Sequence, residues 1–252
     1  MTHFQQVIIA WLAVLFLASA AAAQAVNDPL KEAQRLTRVA QVAEQQNRHL
    51  DAIRAYETIA IIAKGSPKIA GAAILNAGNV YMSIGKFTEA VASFRASLAL
   101  DAGSAAAQNN LGEALGELKQ YQAALKAFQQ AVALDSDYVK ARYNMGVTYD
   151  KLGQLKYAEF VYRILIRDHP DFALAYDSMA VTLSKSGRSR EAIPFHQKAV
   201  MLSPRDAGFH FNFALSYLML GDVKNAQEQQ QQLQALNPNM AQHLATAIAR
   251  RR

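Results

Sequence analysis

Cysteine is absent from this 252-residue chain, and proline (six), glycine (twelve) and tryptophan (one) are scarce. Without cysteine there is no disulfide framework, no thiolate zinc site and no thiol nucleophile. So few glycines and prolines leave little material for turns, which argues against an all-β chain with its many punctuated hairpins. A hydrophobic content of 52% excludes intrinsic disorder as the main state. What is abundant is Ala, Leu, Gln, Lys and Glu, the residues of helices joined by short turns. The length alone is compatible with one or two domains.

The amino-terminal segment reads as an address. Residues 7–17 form an unbroken apolar run of eleven, followed by Ala18, Ser19 and a stretch of alanines ending at Ala25. Such a run before small A-x-A choices resembles a secretory signal peptide. Cleavage after Ala23 and after Ala25 fit equally, although Met1–Gln6 carries no Lys or Arg. The expectation is a cleaved signal over 1–23 and a periplasmic or secreted protein. The alternative is an inner-membrane anchor formed by residues 7–23, a stretch of 17 where a bilayer span needs about 20. No cysteine follows the run, so a lipoprotein anchor is excluded. No second apolar span occurs, so no integral membrane span is expected after cleavage.

Beyond the leader the chain repeats itself. Leu111-Gly112, Leu115, Ala124, Phe128, Ala131 and Leu134 return as Met145-Gly146, Tyr149, Ala158, Tyr162, Leu165 and Asp168, and again as Met179-Ala180, Leu183, Ala192, His196, Ala199 and Leu202. The pivotal alanines are Ala52, Ala90, Ala124, Ala158, Ala192 and Ala226, at spacings of 38, 34, 34, 34 and 34. Each row reads as two helices. The first stops at Gly85, Gly153, Gly187 or Gly221, with Asn47 and Lys119 in the other two rows. That is where a left-handed cap is cheapest for glycine, tolerable for asparagine and costly for lysine. The second helix ends before Pro170, Pro204 or Pro238, prolines able to open the next helix. The small residues at 40, 78, 112, 146, 180 and 214 are expected to face the pivotal alanines where the two helices approach closely. Pro194, inside a helix, is expected to bend it.

This pattern resembles the tetratricopeptide repeat family. The resemblance implies an all-α, right-handed superhelical solenoid of six helix-turn-helix repeats, at 33–70, 71–104, 105–138, 139–172, 173–206 and 207–240. A short segment, 24–32, precedes them. A capping helix over 241–252 follows, with Leu244 and Ile248 facing inward. The first repeat is degenerate, with four extra residues around Gly65-Ser66-Pro67-Lys68, and Gln230 stands where an aromatic residue is usual.

No catalytic constellation emerges: there is no H-E-x-x-H, G-x-S-x-G, P-loop or dinucleotide glycine pattern. His196 and His210 fall in adjacent helices and are the one hint of a metal or acid–base pair. Two histidines without carboxylate support make a poor site, and His196 reads as a substitute for a packing aromatic. No enzyme activity and no cofactor are expected. The net charge of +6 is spread along the repeats without a basic stripe, which argues against a nucleic-acid partner. Arg250-Arg251-Arg252 is the sole cluster, and it suits a helix C-terminus.

The resemblance directs attention to the groove lined by the first helices. Its sixth repeat position holds Asn76, Asn110, Asn144, Ser178 and Asn212. Repeated Asn resembles the asparagine ladder by which some family members hold an extended peptide, because an amide both donates and accepts. The competing reading is that these Asn belong to the repeat consensus and are solvated. Asn79, Asn110 and Lys140 also match the carboxylate clamp of chaperone-binding members, while Leu75 and Asn144 stand where that clamp has cations. Farther on the face turns apolar, with Phe211, Leu215, Leu218 and Met219. These form a patch for a partner helix or strand, or are covered by the terminal helix. The implied function is an exported scaffold that binds a peptide segment or protein, within a cell-envelope assembly, secretion or export complex. The alternative is a non-catalytic subunit presenting substrate to a glycosyltransferase or other enzyme.

Overall fold

The computed structural model describes residues 28–250. The signal-peptide expectation over 1–23 and the last two residues of the arginine cluster lie outside them. Among the described residues there are thirteen helices and no strand. They are α1 (Pro29–Gln45), α2 (His49–Ile62), α3 (Pro67–Ser83), α4 (Phe87–Leu100), α5 (Ala105–Glu117), α6 (Tyr121–Leu134), α7 (Val139–Lys151), α8 (Leu155–Asp168), α9 (Ala173–Lys185), α10 (Ser189–Leu202), α11 (Ala207–Met219), α12 (Val223–Leu236) and α13 (Pro238–Ala249). The chain divides into two compact units, one ending at Ala114 and the other beginning at Leu115, within α5.

Six turns share one mechanism. Asn47, Gly85, Lys119, Gly153, Gly187 and Gly221 all have positive φ, between 56° and 77°. At Gly85 the amide donates to Met82 O (3.1 Å) and the next amide, of Lys86, reaches back to Tyr81 O (2.9 Å). The same pair of bonds recurs at the other five, as with Gly153→Asp150 and Gln154→Tyr149. This is the Schellman closure that satisfies orphan carbonyls at a helix end. It holds even at Lys119 (φ 58°), where a Cβ makes the left-handed region cost about 1–2 kcal/mol. Lys119→Gly is therefore expected to raise the unfolding free energy by about 1 kcal/mol, measured by urea denaturation. No gain would show that the turn is relieved elsewhere.

Helix starts follow the sequence less closely. Pro29, Pro67 and Pro238 occupy first-turn positions of α1, α3 and α13, where the missing N–H is not needed. Pro170 and Pro204 instead sit in the turns, because α9 and α11 begin three residues later. Asp206 starts α11 by accepting from Gly208 N and Phe209 N (2.8 and 3.2 Å). Helix α10 runs through Pro194 without interruption.

The core lies inside and between hairpins. In the first unit, Ala40, Ala52, Tyr56, Ile59, Ala77 and Val80 pack α1, α2 and α3 together. In the second unit, Ala158, Tyr162, Leu165, Met179, Leu183 and Ala192 join the α7–α8 hairpin to α9 and α10. The six pivotal alanines are wholly buried. At two of the small residues on the first helices the nearest side chain is an aromatic ring rather than the pivotal alanine. A Cβ on Gly78 would lie 2.5 Å from Phe94 Cε1, and one on Gly146 2.6 Å from Tyr162 Cε1. Each glycine makes room for the ring one turn beyond the alanine, so the helix spacing is set by an aromatic seated on a bare backbone.

The terminal helix buries Leu244 and Ile248, which cluster with Ala214, Leu218 and Leu233. Inward placement of these two residues is as the sequence predicts. Within the second unit α9 also touches α7 and α11, and α11 touches α13. Within this unit the first helices α7, α9 and α11 therefore stand beside one another.

Candidate functional site

In the first unit, Asn76 and Asn79 lie on α3 and Asn110 on α5. Asn110 Nδ2 donates to Asn79 Oδ1 (2.7 Å). The Oδ1 of Asn110 in turn accepts from buried Asn109 (3.1 Å), whose amide also donates to Glu113 (2.9 Å). The two groove asparagines thus meet across neighbouring repeats. Asn79, itself exposed, takes part in that contact through its side-chain oxygen. Asn76 is half-buried one turn before.

In the second unit, α7 carries exposed Lys140 and half-buried Asn144, one turn apart. The next ladder position is Ser178, whose hydroxyl lies 3.1 Å from Tyr143 Oη. Burial pushes the Tyr143 phenol upward in pKa; Ser178 pulls the other way, and the Asp177 and Asp150 carboxylates add to the rise. At the following position Asn212 Nδ2 donates to Asp177 Oδ2 (2.8 Å), so one of its amide protons is already engaged.

The apolar quartet on α11 divides. Phe211 packs against the cluster of the terminal helix, and Leu218 is buried there. Leu215 and Met219 stay 37% and 57% exposed. Between them and α9 lies an open cavity of about 170 Å³, walled by Val181, Leu215 and Met219, floored by Ser184 and Ser216, and rimmed by Lys185 and Asn212. Three of the residues singled out from sequence, Asn212, Leu215 and Met219, therefore line one cavity, while Phe211 belongs to the packing of the terminal helix.

A polar network missed by sequence reasoning lies beneath this cavity. His196 is fully buried. Its Nδ1 is 3.0 Å from Asp177 Oδ1 and its Nε2 2.9 Å from Ser216 Oγ. Ser216 Oγ is 2.8 Å from Ser184 Oγ. His196 therefore does have carboxylate support, from Asp177, contrary to the expectation that it has none. Its ring also stacks on Phe213, centroids 5.4 Å apart, as a replacement for a packing aromatic should. His210 is engaged separately, with Gln229 Oε1 (2.8 Å) and Pro204 O (3.0 Å). Among the described residues no group of three or more His, Asp or Glu is placed to hold a metal ion.

The period does hold a signal for this network. Thr148, Thr182 and Ser216 occupy one column of the 34-residue repeat, and Asp150 and Ser184 another. Thr182 donates to Asp150 Oδ2 (2.8 Å), which is the Ser216–Ser184 contact displaced by one repeat. Lys185 Nζ closes on the same Asp150 at 3.4 Å.

A second exposed surface was also missed. Tyr157 and Phe160 on α8 are 61% and 63% exposed. Tyr157 stacks on Tyr149 with centroids 5.4 Å apart. Met145 and Ile164 complete a shallow depression of about 320 Å³. Among the described residues no helix is long and apolar enough to cross a membrane.

Comparison with known proteins places these features in context. Two tetratricopeptide repeat family models match, over residues 75–139 and 116–181. No curated protein matches the chain by sequence. Among solved structures, MamA is 30% identical over 68% of this chain and 97% of its own, with a TM-score of 0.60. PilW, a widely conserved type IV pilus biogenesis factor, is 25% identical over 84% of this chain and 98% of its own, with a TM-score of 0.72. YrrB, a tetratricopeptide repeat protein with an unusual peptide-binding site, shares the fold at 20% identity over 69% of this chain and 91% of its own, with a TM-score of 0.55.

Proposed function

Because the chain belongs to the tetratricopeptide repeat family, we propose that it is an exported, non-catalytic scaffold that holds an extended segment of a partner protein against the first helices of its hairpins. Members of the family generally act as interaction scaffolds rather than catalysts. The observation that carries the reading is the surface of α9 and α11. There Leu215 and Met219 stand exposed beside Asn212 around an open cavity. Apolar anchors next to an amide able to pair with a peptide group are what an extended ligand needs. In the first unit Asn79 and Asn110 add a second amide pair.

Export rests on the apolar run 7–17 and the small residues behind it. The likeness to PilW, itself a pilus biogenesis factor, supports a setting in assembly of the cell envelope.

Photo-crosslinking in intact cells tests both parts. Benzoylphenylalanine is placed at Leu215, at Asn79 and, on the outer helix α10, at Met201, which is 64% exposed. Protein adducts are expected from the first two positions and not from Met201, in the exported fraction. Adducts from Met201 alone would overturn the groove reading. Retention of the full-length chain in the cytosol would overturn export.

A further inference from the structure

With the His196 ring neutral, the hydrogen bonds beneath the α9–α11 cavity run in one direction, and this deepens the groove reading on which it rests. Asp177 accepts from Asn212 through Oδ2, which leaves Oδ1 for His196. A carboxylate only accepts, so Nδ1 of the ring carries the proton. In the neutral ring Nε2 is then an acceptor, and the hydroxyl of Ser216 must donate to it across 2.9 Å. The Oγ of Ser216 in turn accepts from the hydroxyl of Ser184 at 2.8 Å. Every proton of the chain Ser184–Ser216–His196–Asp177 is thus spent pointing inward. What Ser184 offers the cavity is a lone pair, an acceptor already polarised by the hydrogen bonds behind it.

The remaining walls define the shape of the occupant. Val181, Leu215 and Met219 are apolar, and the space is about 170 Å³. Apolar cavities of about 150 Å³ accept a benzene ring. The Met219 thioether, held by Ser189 Oγ at 3.5 Å, is a favourable neighbour for an aromatic edge. On the rim, Lys185 is already paired with Asp150 at 3.4 Å, so the mouth does not call for an anionic group. Asn212 is placed to meet the peptide backbone of the residue whose side chain enters.

We propose that this cavity is a specificity pocket for a tyrosine side chain of the bound segment, its ring between Leu215, Met219 and Val181 and its phenol donating to Ser184 Oγ. A phenylalanine would fill the same volume but leave that acceptor dry and unpaired. The two rings should therefore be told apart by one hydrogen bond.

The probes are p-cresol and toluene, followed by the methyl resonances of Val181, Leu215 and Met219 in the full-length mature chain. The expected result is saturable shifts at these methyls, with p-cresol binding about fivefold more tightly than toluene, the worth of one net hydrogen bond. Ser184→Ala should abolish the preference while leaving toluene binding in place. Leu215→Asp should weaken both, and Ser184→Ala circular dichroism should match the wild type. Equal affinity of the two probes for the wild-type chain, or shifts elsewhere than at these methyls, would overturn the proposal. Crosslinks from Leu215 together with equal probe affinities would sink the tyrosine pocket and spare the groove. A p-cresol preference with no crosslinks from Leu215 would do the reverse.

Discussion

His196→Ala is expected to lower the unfolding free energy by about 3 kcal/mol, because a buried carboxylate loses a hydrogen-bond donor. His196 is the hub on which three helices meet: it sits on α10, Asp177 on α9 and Ser216 on α11. Asp177 is only 7% exposed, and its two oxygens are served by His196 and Asn212. With the ring gone, one oxygen keeps its desolvation cost and loses its partner, and Ser216 loses its acceptor. The stacking on Phe213 is lost as well. The double variant Asp177→Ala/His196→Ala removes the stranded charge along with its cause, so it should cost clearly less than the two single losses added. Urea unfolding of the four proteins measures this. A loss below about 1 kcal/mol for His196→Ala, or strict additivity, would show that the network contributes little to the fold.

Leu244→Asp is expected to detach α13 and lower overall stability by several kcal/mol, since an unpaired carboxylate would otherwise be buried. Leu244 is fully buried, and Ile248 nearly so, against Ala214, Leu218 and Leu233. Detachment would also uncover Phe211, which packs on the same cluster, so the variant should self-associate. Stacked repeats need an end element with a polar outer face for this reason. Chromatography together with amide exchange over residues 238–249 reads the outcome. A monomeric variant with wild-type protection there would contradict the capping role.

Much of this architecture is legible in the sequence because it is periodic. Left-handed turns at Asn47 and Lys119 follow from register alone, since no glycine marks them. The inward Leu244 and Ile248 follow from helical spacing. Pairing across the hairpin is less visible. Gly78 and Gly146 look like partners for the nearby alanines, but the space they open is filled by Phe94 and Tyr162. Volume is shared between side chains, and sequence spacing records only which faces meet.

The site shows the same limit. Asn110 and Asn79 can be placed on one face, yet their 2.7 Å bond depends on how far one repeat is turned against the next. The network around His196 draws Asp177, Ser184 and Ser216 from columns that hold Tyr143, Asp150 and Thr182 one repeat earlier. No single row contains it. Such a site is legible only when columns are compared for polar residues at positions the fold buries.

The central claim is that partner binding takes place on the first helices of the hairpins. Amide hydrogen exchange of the chain, alone and with the partner recovered by crosslinking, tests it most directly. The account predicts added protection in α3, α7, α9 and α11, strongest around Asn212 and Leu215, with α4, α8 and α10 unchanged. Protection confined to the second helices, for example around the exposed Tyr157 and Phe160 of α8, would contradict it.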